Sequence, residues 1–343
     1  MNFLGRRDAK KCRDPALSFT EQGDILRCYH GSLIVGGHVN ILFATNRKFI
    51  EPAATMLYSL FESHPGIDMD IYLAYSNLSE EDLERFASYI AAFPGKIFHP
   101  IYVGEEFQDK VEAHNHISIE SYYRVLALPL LPESLDRILY LDSDLVVRGD
   151  LSDLYHMDLG EAPFSAAEDI IGILNDFHQA NMYRLSIPAN RSYFNTGVMV
   201  FNLPVTREMH MTEYIIDRVY ENYERYEYNE QDALNEVYYD KVRYIDWDIY
   251  NFPPGLYYLD MKELEAGKVR FLSYKEIKEL HASGELDGRA RDMTSQLYAQ
   301  NKILHYMGKS KPWDSLAEES DLFRAFTPIY REMNEKAMKI WTR

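Results

Sequence analysis

The residues best suited to chemistry are two aspartates that follow a short apolar run. Residues 138–141 read Ile-Leu-Tyr-Leu, and Asp142-Ser143-Asp144 comes directly after them. A buried strand that ends in this way brings both carboxylates to the rim of a sheet, since residues i and i+2 of an extended chain point to the same side. Paired carboxylate oxygens suit a hard divalent cation, and such a cation can hold a diphosphate. The pattern predicts a metal site, although isolated Asp-x-Asp sequences are also common in acidic surface turns.

The elements that must position these carboxylates alternate between strands and helices. Apolar runs predict strands over Val39–Ala44, Asp70–Tyr75 and Lys96–Val103. Pro52 opens a helix after the first run, because a proline at a helix start loses no hydrogen bond. Ser79 and Asp82 have the spacing of a capping box and predict a second helix. Alternation of this length is typical of parallel β-α-β units, so the predicted fold class is α/β.

The second half of the chain is less regular. Its patterns predict a strand over Ser192–Asn202, helices over Arg207–Tyr223 and Glu230–Tyr239, and a final helical stretch over Asp321–Trp341. We divide the chain into an N-terminal extension (1–37), one main domain (38–313) and a helical C-terminal tail (314–343).

Composition indicates which binding partners and which cellular compartment suit the chain. The formal net charge of -18 argues against a nucleic-acid partner, which requires clustered Lys and Arg. Cys12 and Cys28 lack Cys-x-x-Cys spacing, which favours free thiols in a reducing cytoplasm, with a single bridge between them as the alternative. No apolar run is long enough to span a bilayer. We expect a cytoplasmic protein with at most peripheral contact at the inner face of the membrane.

Further motifs follow in an order that resembles the family-8 retaining glycosyltransferases, especially the bacterial α-galactosyltransferases that build lipooligosaccharide. In chain order they are Phe43-Ala44-Thr45-Asn46, the run from His116 to Arg124, Asp142-Ser143-Asp144, Tyr193-Phe194-Asn195-Thr196-Gly197 with Asp169 upstream, Asn229-Glu230-Gln231-Asp232, and the run from His305 to Trp313. The resemblance implies a GT-A-type domain with a mixed, mostly parallel sheet, and a UDP-sugar donor.

The same resemblance implies a role for each motif. Asp142, Asp144 and His305 would bind Mn²⁺ (or Mg²⁺). Gln231 would lie nearest the anomeric carbon, with Asp169 and Glu230 as the other candidate catalytic residues. The residues that would bind the donor and line the acceptor region are Ala44, Thr45, Asn46, Ile117, Ser121, Arg124, Asp142, Ser143, Asn195, Thr196, Gly308 and Lys311.

Three positions have simpler interpretations without the resemblance. Arg124 would be a surface salt-bridge residue, Asn195 a turn residue before a strand, and Trp313 a permanent core residue. We predict instead that the segment from His305 to Trp313 closes over the diphosphate when donor and metal bind, with Gly308 for flexibility, Lys311 for charge and Pro312-Trp313 as a hydrophobic latch. The chain also departs from the galactosyltransferases, which carry Asp where Asn46 and Glu230 stand, and Asn where Lys48 stands.

These features predict a metal-dependent retaining enzyme that moves galactose or glucose from a UDP-sugar to a glycan or glycolipid acceptor of the cell surface. Because Gln231 is a neutral amide and a poor nucleophile, we favour displacement on the face from which the diphosphate leaves. Asp169 or Glu230 as a nucleophile is the second possibility. Two other functions remain open: a sugar-nucleotide pyrophosphorylase, which should carry a Gly-rich phosphate loop after the first strand, and an inactive glycan-binding relative, which should lack metal ligands.

Overall fold

A computed structural model describes residues 27–29, 32–34, 38–104, 119–170, 172, 177–254, 283, 300–308, 311–313 and 327–342. Its strands are β1 (Arg27–Tyr29), β2 (Ser32–Ile34), β3 (His38–Ala44), β4 (Asp68–Tyr75), β5 (Lys96–Tyr102), β6 (Arg137–Leu141), β7 (Leu145–Val147), β8 (Phe164–Glu168), β9 (Phe194–Asn202), β10 (Arg243–Ile245) and β11 (Ile303–His305).

The helices of the described residues cover both faces of the central sheet. They are α1 (Ile50–Ser63), α2 (Glu80–Ala91), α3 (Tyr123–Leu126), α4 (Ser152–Tyr155), α5 (Phe177–Arg184), α6 (Leu203–Glu208), α7 (Met211–Asn222), α8 (Asn229–Tyr238), α9 (Trp247–Tyr250) and α10 (Thr327–Trp341). Short 3-10 helices cover Arg47–Phe49, Ile119–Tyr122, Leu128–Leu130 and Tyr223–Arg225.

Seven strands form one mixed sheet in the order β10-β8-β9-β6-β3-β4-β5. Strand β9 is antiparallel to both of its neighbours, and the other neighbouring pairs are parallel. The predicted α/β class with a mixed, mostly parallel sheet is therefore confirmed. Outside this sheet, β11 pairs antiparallel with β7, and β1 pairs antiparallel with β2.

Alternate residues of the central strands enter two separate apolar clusters, one on each face of the sheet. Ile41 and Phe43 of β3 face the cluster that contains α1 and α2, whereas Leu42 and Ala44 face the cluster that contains α3 and α7. This period of two is what a strand buried on both faces requires. The packing holds the carboxyl ends of β3 and β6 side by side.

The helix predicted over Arg207–Tyr223 is wrong in one respect, because the chain breaks it into α6 and α7. His210 has a left-handed backbone with a φ of 47°. Its amide donates to the Arg207 carbonyl (3.1 Å), while its carbonyl accepts from the Tyr214 amide (3.0 Å) and begins α7. No glycine or proline stands at this break, so the residue pattern did not reveal it.

The two ends of the chain are described in part. Thr327–Trp341 of the predicted C-terminal helical stretch forms α10, which packs on α1 and places the Trp341 ring against Phe86 and Tyr89. Within the predicted N-terminal extension, β1 and β2 form a short hairpin. Cys12 lies outside the described residues, so the state of the two thiols stays a prediction. The domain boundaries also stay predictions. None of the described helices is long and apolar enough to cross a membrane.

Candidate active site

The two aspartates lie where β6 ends, but not in extended chain. Strand β6 stops at Leu141, and Ser143 and Asp144 form a turn that leads into β7. The two carboxylates meet because of this turn, and not by the strand alternation that we expected. Pairing of β11 with β7 sets His305 opposite Leu145, directly beside the turn.

Asp142, Asp144 and His305 come together as a possible metal site. One ligand atom from each residue lies within 4.8 Å of the others, and no other such group occurs among the described residues. The His305 Nε2 lies 3.2 Å from Asp144 Oδ1 and 3.8 Å from Asp142 Oδ2. Two carboxylate oxygens and one imidazole nitrogen in this arrangement could hold a divalent ion.

Asn251 orients the histidine of this group. Its Oδ1 lies 2.7 Å from His305 Nδ1, and its Nδ2 donates to Asn195 Oδ1 at 3.0 Å. With its amide oriented in this way, Asn251 accepts the proton on Nδ1, so Nε2 is the nitrogen that faces the aspartates and would bind a metal ion. The sequence contained no signal for Asn251, which reaches the site because Phe252 forms a bridge with Leu304 of β11.

Each aspartate turns one oxygen toward His305 and the other toward a cation. Asp142 Oδ1 accepts from the Tyr140 hydroxyl (2.7 Å) and lies 3.0 Å from Arg124 Nη2. Asp144 Oδ2 lies 2.5 Å from Lys311 Nζ. Burial alone would raise the pKa of Asp144, but the positive charge of Lys311 and the contact with His305 outweigh it and hold this pKa well below its usual range. The carboxylate therefore stays ionised and able to bind a cation at neutral pH.

Gly197 makes room for this group on the β9 side. A Cβ at this position would lie 2.2 Å from His305 Cε1 and 3.0 Å from Asp142 Oδ2. The first distance is shorter than real Cβ contacts and the second is tighter than most of them, so any side chain here would displace the histidine or the strand. The close approach explains the glycine at the end of the Asn-Thr-Gly motif.

The turn after β3 lies beside the aspartates, as expected of a nucleotide-binding turn. The Ser143 hydroxyl donates to the Ala44 carbonyl at 2.8 Å. Asn46 Oδ1 accepts from the Lys48 amide at 2.9 Å and caps the 3-10 helix that follows. A carbonyl oxygen has two lone pairs, so Asn46 keeps one acceptor position for a ligand. Thr45 is buried between these residues.

Gln231 of α8 is held by a network on the other side of the site. Its Oε1 accepts from the Thr196 amide (3.1 Å) and from Asn195 Nδ2 (3.2 Å). Its Nε2 lies 3.2 Å from the Tyr193 hydroxyl and 3.5 Å from Asp169 Oδ2. The candidate catalytic residue Asp169 and the predicted donor-binding residue Asn195 thus lie next to Gln231, whose carbonyl oxygen accepts a third, longer bond from the Thr196 hydroxyl at 3.4 Å.

Arg124 links this network to the aspartates. Only 5% of the residue is exposed, so it is not a surface salt-bridge residue. Its Nε lies 3.1 Å from Glu230 Oε1 and donates to the Ser121 carbonyl at 2.9 Å. Burial raises the pKa of Glu230 against the opposing charge of Arg124. The second Glu230 oxygen, Oε2, is buried and has no hydrogen-bond partner among the described residues, so it retains acceptor capacity.

Asp232 is a structural neighbour that sequence reasoning did not single out. It is fully buried, and its carboxylate accepts from the Tyr193 hydroxyl (2.6 Å) and pairs with Arg184 (2.7 Å). It also accepts from the amides of Glu227 and Tyr228 at 2.7 and 2.9 Å. With both oxygens engaged, Asp232 fixes the turn before α8. Its place in the Asn-Glu-Gln-Asp motif was the available signal.

The segment after His305 packs over the aspartates. Lys311 Nζ donates to the Tyr306 carbonyl at 2.8 Å, and Gly308 has a φ of +95° with open space around it. The half-buried Trp313 ring lies 5.7 Å from the Phe49 ring and 5.1 Å from the Tyr330 ring of α10. The segment therefore contacts both the turn after β3 and the C-terminal helix. Ile117, a predicted substrate-binding residue, lies outside the described residues.

The mixed sheet and the acidic group at its strand ends are those of a GT-A-like glycosyltransferase domain. The family model for glycosyl transferase family 8 matches residues 40–317, and the chain belongs to this family. The resemblance inferred from the motifs is confirmed.

Several relatives carry named activities. The chain is 25% identical over 283 residues to the glycosyltransferase GlyE of Streptococcus pneumoniae, a match that covers 81% of this chain and 57% of GlyE. It is 23% identical over 288 residues to the lipopolysaccharide 1,2-glucosyltransferase of Escherichia coli K12, covering 81% of this chain and 74% of that protein. The chain therefore spans little more than half the length of GlyE.

Solved structures share the fold. The galactosyltransferase LgtC, crystallised with donor and acceptor sugar analogues, has a TM-score of 0.65 at 20% identity, covering 87% of this chain and 96% of LgtC. The GlyE structure has a TM-score of 0.60 at 21% identity, covering 89% of this chain and 62% of GlyE. At these identities the likeness shows the fold alone.

Proposed function

We propose that the protein is a metal-dependent retaining glycosyltransferase that moves a hexose from a UDP-sugar to a saccharide or glycoconjugate acceptor. The observation that carries the proposal is the meeting of Asp142, Asp144 and His305 beside Arg124 and Lys311 at the strand ends. The donor hexose is galactose or glucose, the sugars named in the lipopolysaccharide glycosyltransferases that this chain resembles.

The residues present fit a divalent ion. Asp142 and Asp144 supply carboxylate oxygens, as Mn²⁺ and Mg²⁺ prefer, and a nitrogen ligand such as His305 suits Mn²⁺ better than Mg²⁺. Asn251 fixes the His305 ring in the tautomer that a metal ligand needs. Such an ion, when bound, supplies Lewis-acid stabilisation to the departing diphosphate.

Two cationic side chains, Lys311 and Arg124, complement the negative charge of the departing diphosphate. Lys311 Nζ already lies beside Asp144 and is a compact, mobile point charge for a phosphate oxygen. Arg124 is buried between Asp142 and Glu230, where little solvent screens it. Loss of one such preorganised group typically costs about 3–4 kcal/mol of transition-state stabilisation.

Displacement on the face from which the diphosphate leaves suits the groups around the sugar. A bond forms between the acceptor oxygen and the anomeric carbon, the bond from that carbon to the phosphate oxygen breaks, and this oxygen takes the acceptor proton. Gln231 is neutral and held in place by Thr196 and Asn195, so it serves to position and stabilise the sugar. Asp169 and Glu230 remain the alternative nucleophiles. In Glu230, one oxygen is tied to Arg124 and Thr196, so only Oε2 could attack the sugar.

Glu230 also offers the sugar a binding group. Its Oε2 is buried without a hydrogen-bond partner among the described residues, and an unpaired buried acceptor is costly. A donor hydroxyl that reached this oxygen would satisfy it. Because the galactosyltransferases carry the shorter Asp here, the choice between galactose and glucose depends in part on this residue.

The two rival functions are disfavoured by particular features. A pyrophosphorylase should place glycines in the turn after β3, but Thr45–Phe49 contains none. An inactive glycan-binding relative should lose metal ligands, but Asp142, Asp144 and His305 all lie together. The acceptor is a glycan or glycolipid, and we retain the cytoplasmic location with at most peripheral membrane contact as part of the proposal.

A donor screen tests the proposal. UDP release is measured with Mn²⁺ from UDP-glucose, UDP-galactose and their N-acetyl forms. We expect turnover of at least one hexose donor, and Asp144→Asn should remove most of it, because the substitution removes an ionised ligand oxygen. Asp217→Asn, at an exposed residue of α7, is the matched control and should keep wild-type turnover. Wild-type turnover by Asp144→Asn would contradict the proposal, as would the absence of turnover with every donor.

A further inference from the structure

Asn229 has an uncommon backbone conformation at the point where α8 enters the site. It is the first residue of α8, has a φ of 49°, and is fully buried. Left-handed conformations are uncommon for residues other than glycine, and asparagine is one of the few that tolerate them. Such conformations cluster at functional sites, where the surrounding structure holds them. The two residues that follow are Glu230 and Gln231.

The turn before Asn229 is rigidly built. Asp232 accepts from the amides of Glu227 and Tyr228, and the Gln231 amide donates to the Tyr228 carbonyl at 3.0 Å. The backbone on both sides of Asn229 is therefore fixed by hydrogen bonds. Its backbone conformation determines the direction in which the side chains of Glu230 and Gln231 leave the helix.

The Asn229 side chain joins this turn to a second part of the site. Its Nδ2 donates to the Ser121 hydroxyl at 3.3 Å, and the Ser121 carbonyl accepts from Arg124 Nε at 2.9 Å. Arg124 in turn contacts Asp142 and Glu230. The buried Asn229 amide thus connects α8, which carries Gln231, to the 3-10 helix that precedes Arg124.

From this geometry we infer that Asn229 is a positioning residue with two separable functions. Its backbone directs Glu230 and Gln231 into the site, and its side chain fixes the Ser121–Arg124 segment relative to them. The kinetic consequence rests on the proposed glycosyl transfer, whereas the structural consequence does not. Asparagine suits the position because it combines tolerance of the left-handed conformation with a hydrogen-bond donor.

Two substitutions separate the functions. Asn229→Gly keeps the backbone conformation at no steric cost but removes the amide, whereas Asn229→Ala removes the amide and also disfavours the backbone. His210→Gly is the matched control, because His210 is another left-handed residue at a helix start, but it is exposed and makes none of the site contacts described above. The measurements are the thermal unfolding midpoint, amide hydrogen exchange of residues 119–126, and steady-state UDP release with Mn²⁺.

We expect Asn229→Ala to unfold at least about 2 °C below Asn229→Gly, because both variants lose the amide but only alanine also disfavours the left-handed backbone. Asn229→Gly should still exchange faster over residues 119–126 and lose about tenfold or more in kcat, since small misplacements of reacting groups are costly. The effects of Asn229→Gly and Ser121→Ala on kcat should be less than additive, because the two side chains share a hydrogen bond. His210→Gly should match the wild type in exchange and in kcat.

If Asn229→Gly behaves like the wild type, the inference is wrong. If Asn229→Gly has wild-type exchange over residues 119–126, the side chain does not fix this segment. If kcat is also unchanged, Asn229 matters only for its backbone. An absence of donor turnover in the wild type would contradict the proposed function instead, and the exchange comparison would still decide the inference about Asn229.

Discussion

Replacing Gly197 with alanine tests the close packing on which the Asp142, Asp144 and His305 group depends. The new Cβ would lie 2.2 Å from His305 Cε1, whereas carbon atoms pack at about 3.5 Å, so the ring would have to move by about 1 Å. Metal–ligand distances tolerate only about 0.2 Å. Overpacking of this kind typically costs about 1–3 kcal/mol of stability.

The expected result is a selective loss of metal binding. Displacing His305 should weaken Mn²⁺ binding about 10- to 100-fold, equivalent to about 1.4–2.8 kcal/mol, as changes that misorient a ligand commonly do. Isothermal titration with Mn²⁺ and denaturant unfolding measure the two effects. Gly149→Ala is the control, because the closest approach of its Cβ would be to the flexible side chain of Lys302, at 3.0 Å. Wild-type Mn²⁺ affinity in folded Gly197→Ala protein would refute the assignment of His305 to the metal site.

Three further substitutions test other parts of the site. Lys311→Met removes a cation that lowers the pKa of Asp144, so this pKa should rise. Because protons then compete for the carboxylate, the acid limb of the pH–rate profile should move to higher pH. An unchanged profile would contradict the role of Lys311. Trp313→Ala loses packing against Phe49 and Tyr330. It should weaken UDP binding, measured by calorimetry, about tenfold, or about 1.4 kcal/mol. Unchanged affinity would mean that the segment from His305 to Trp313 does not close over the diphosphate. Gln231→Ala should slow transfer about tenfold or more while UDP affinity stays within about twofold, as loss of a group that acts on the sugar predicts; a matching loss of UDP affinity would contradict this role.

Much of the fold was predictable because its signals are local. The strand from Val39 to Ala44 alternates between two cores, and the Ser79–Asp82 capping box is present with both of its hydrogen bonds. The order of the motifs identified the family. Asp142 and Asp144 stood out because a buried strand comes directly before them.

Other features depend on contacts between distant parts of the chain. Asn251 reaches His305 only because residues near 252 bridge to β11, and nothing in its neighbours indicates a ligand-orienting role. Asn229 and His210 adopt left-handed conformations that sequence patterns assign to glycine. The burial of Arg124 likewise follows from its packing between Asp142 and Glu230, which no residue spacing reveals.

The most direct test of metal-dependent retaining transfer is one proton NMR time course. The anomeric signals of UDP-galactose or UDP-glucose are followed with enzyme and Mn²⁺, then after excess EDTA, and then after excess Mn²⁺ is restored. Retention predicts that the α-hexose appears first, before mutarotation. We expect turnover to stop with EDTA and to resume with Mn²⁺, because Asp142, Asp144 and His305 then bind the ion again. Turnover that continues in EDTA, or a product that appears first as the β-anomer, would contradict the account.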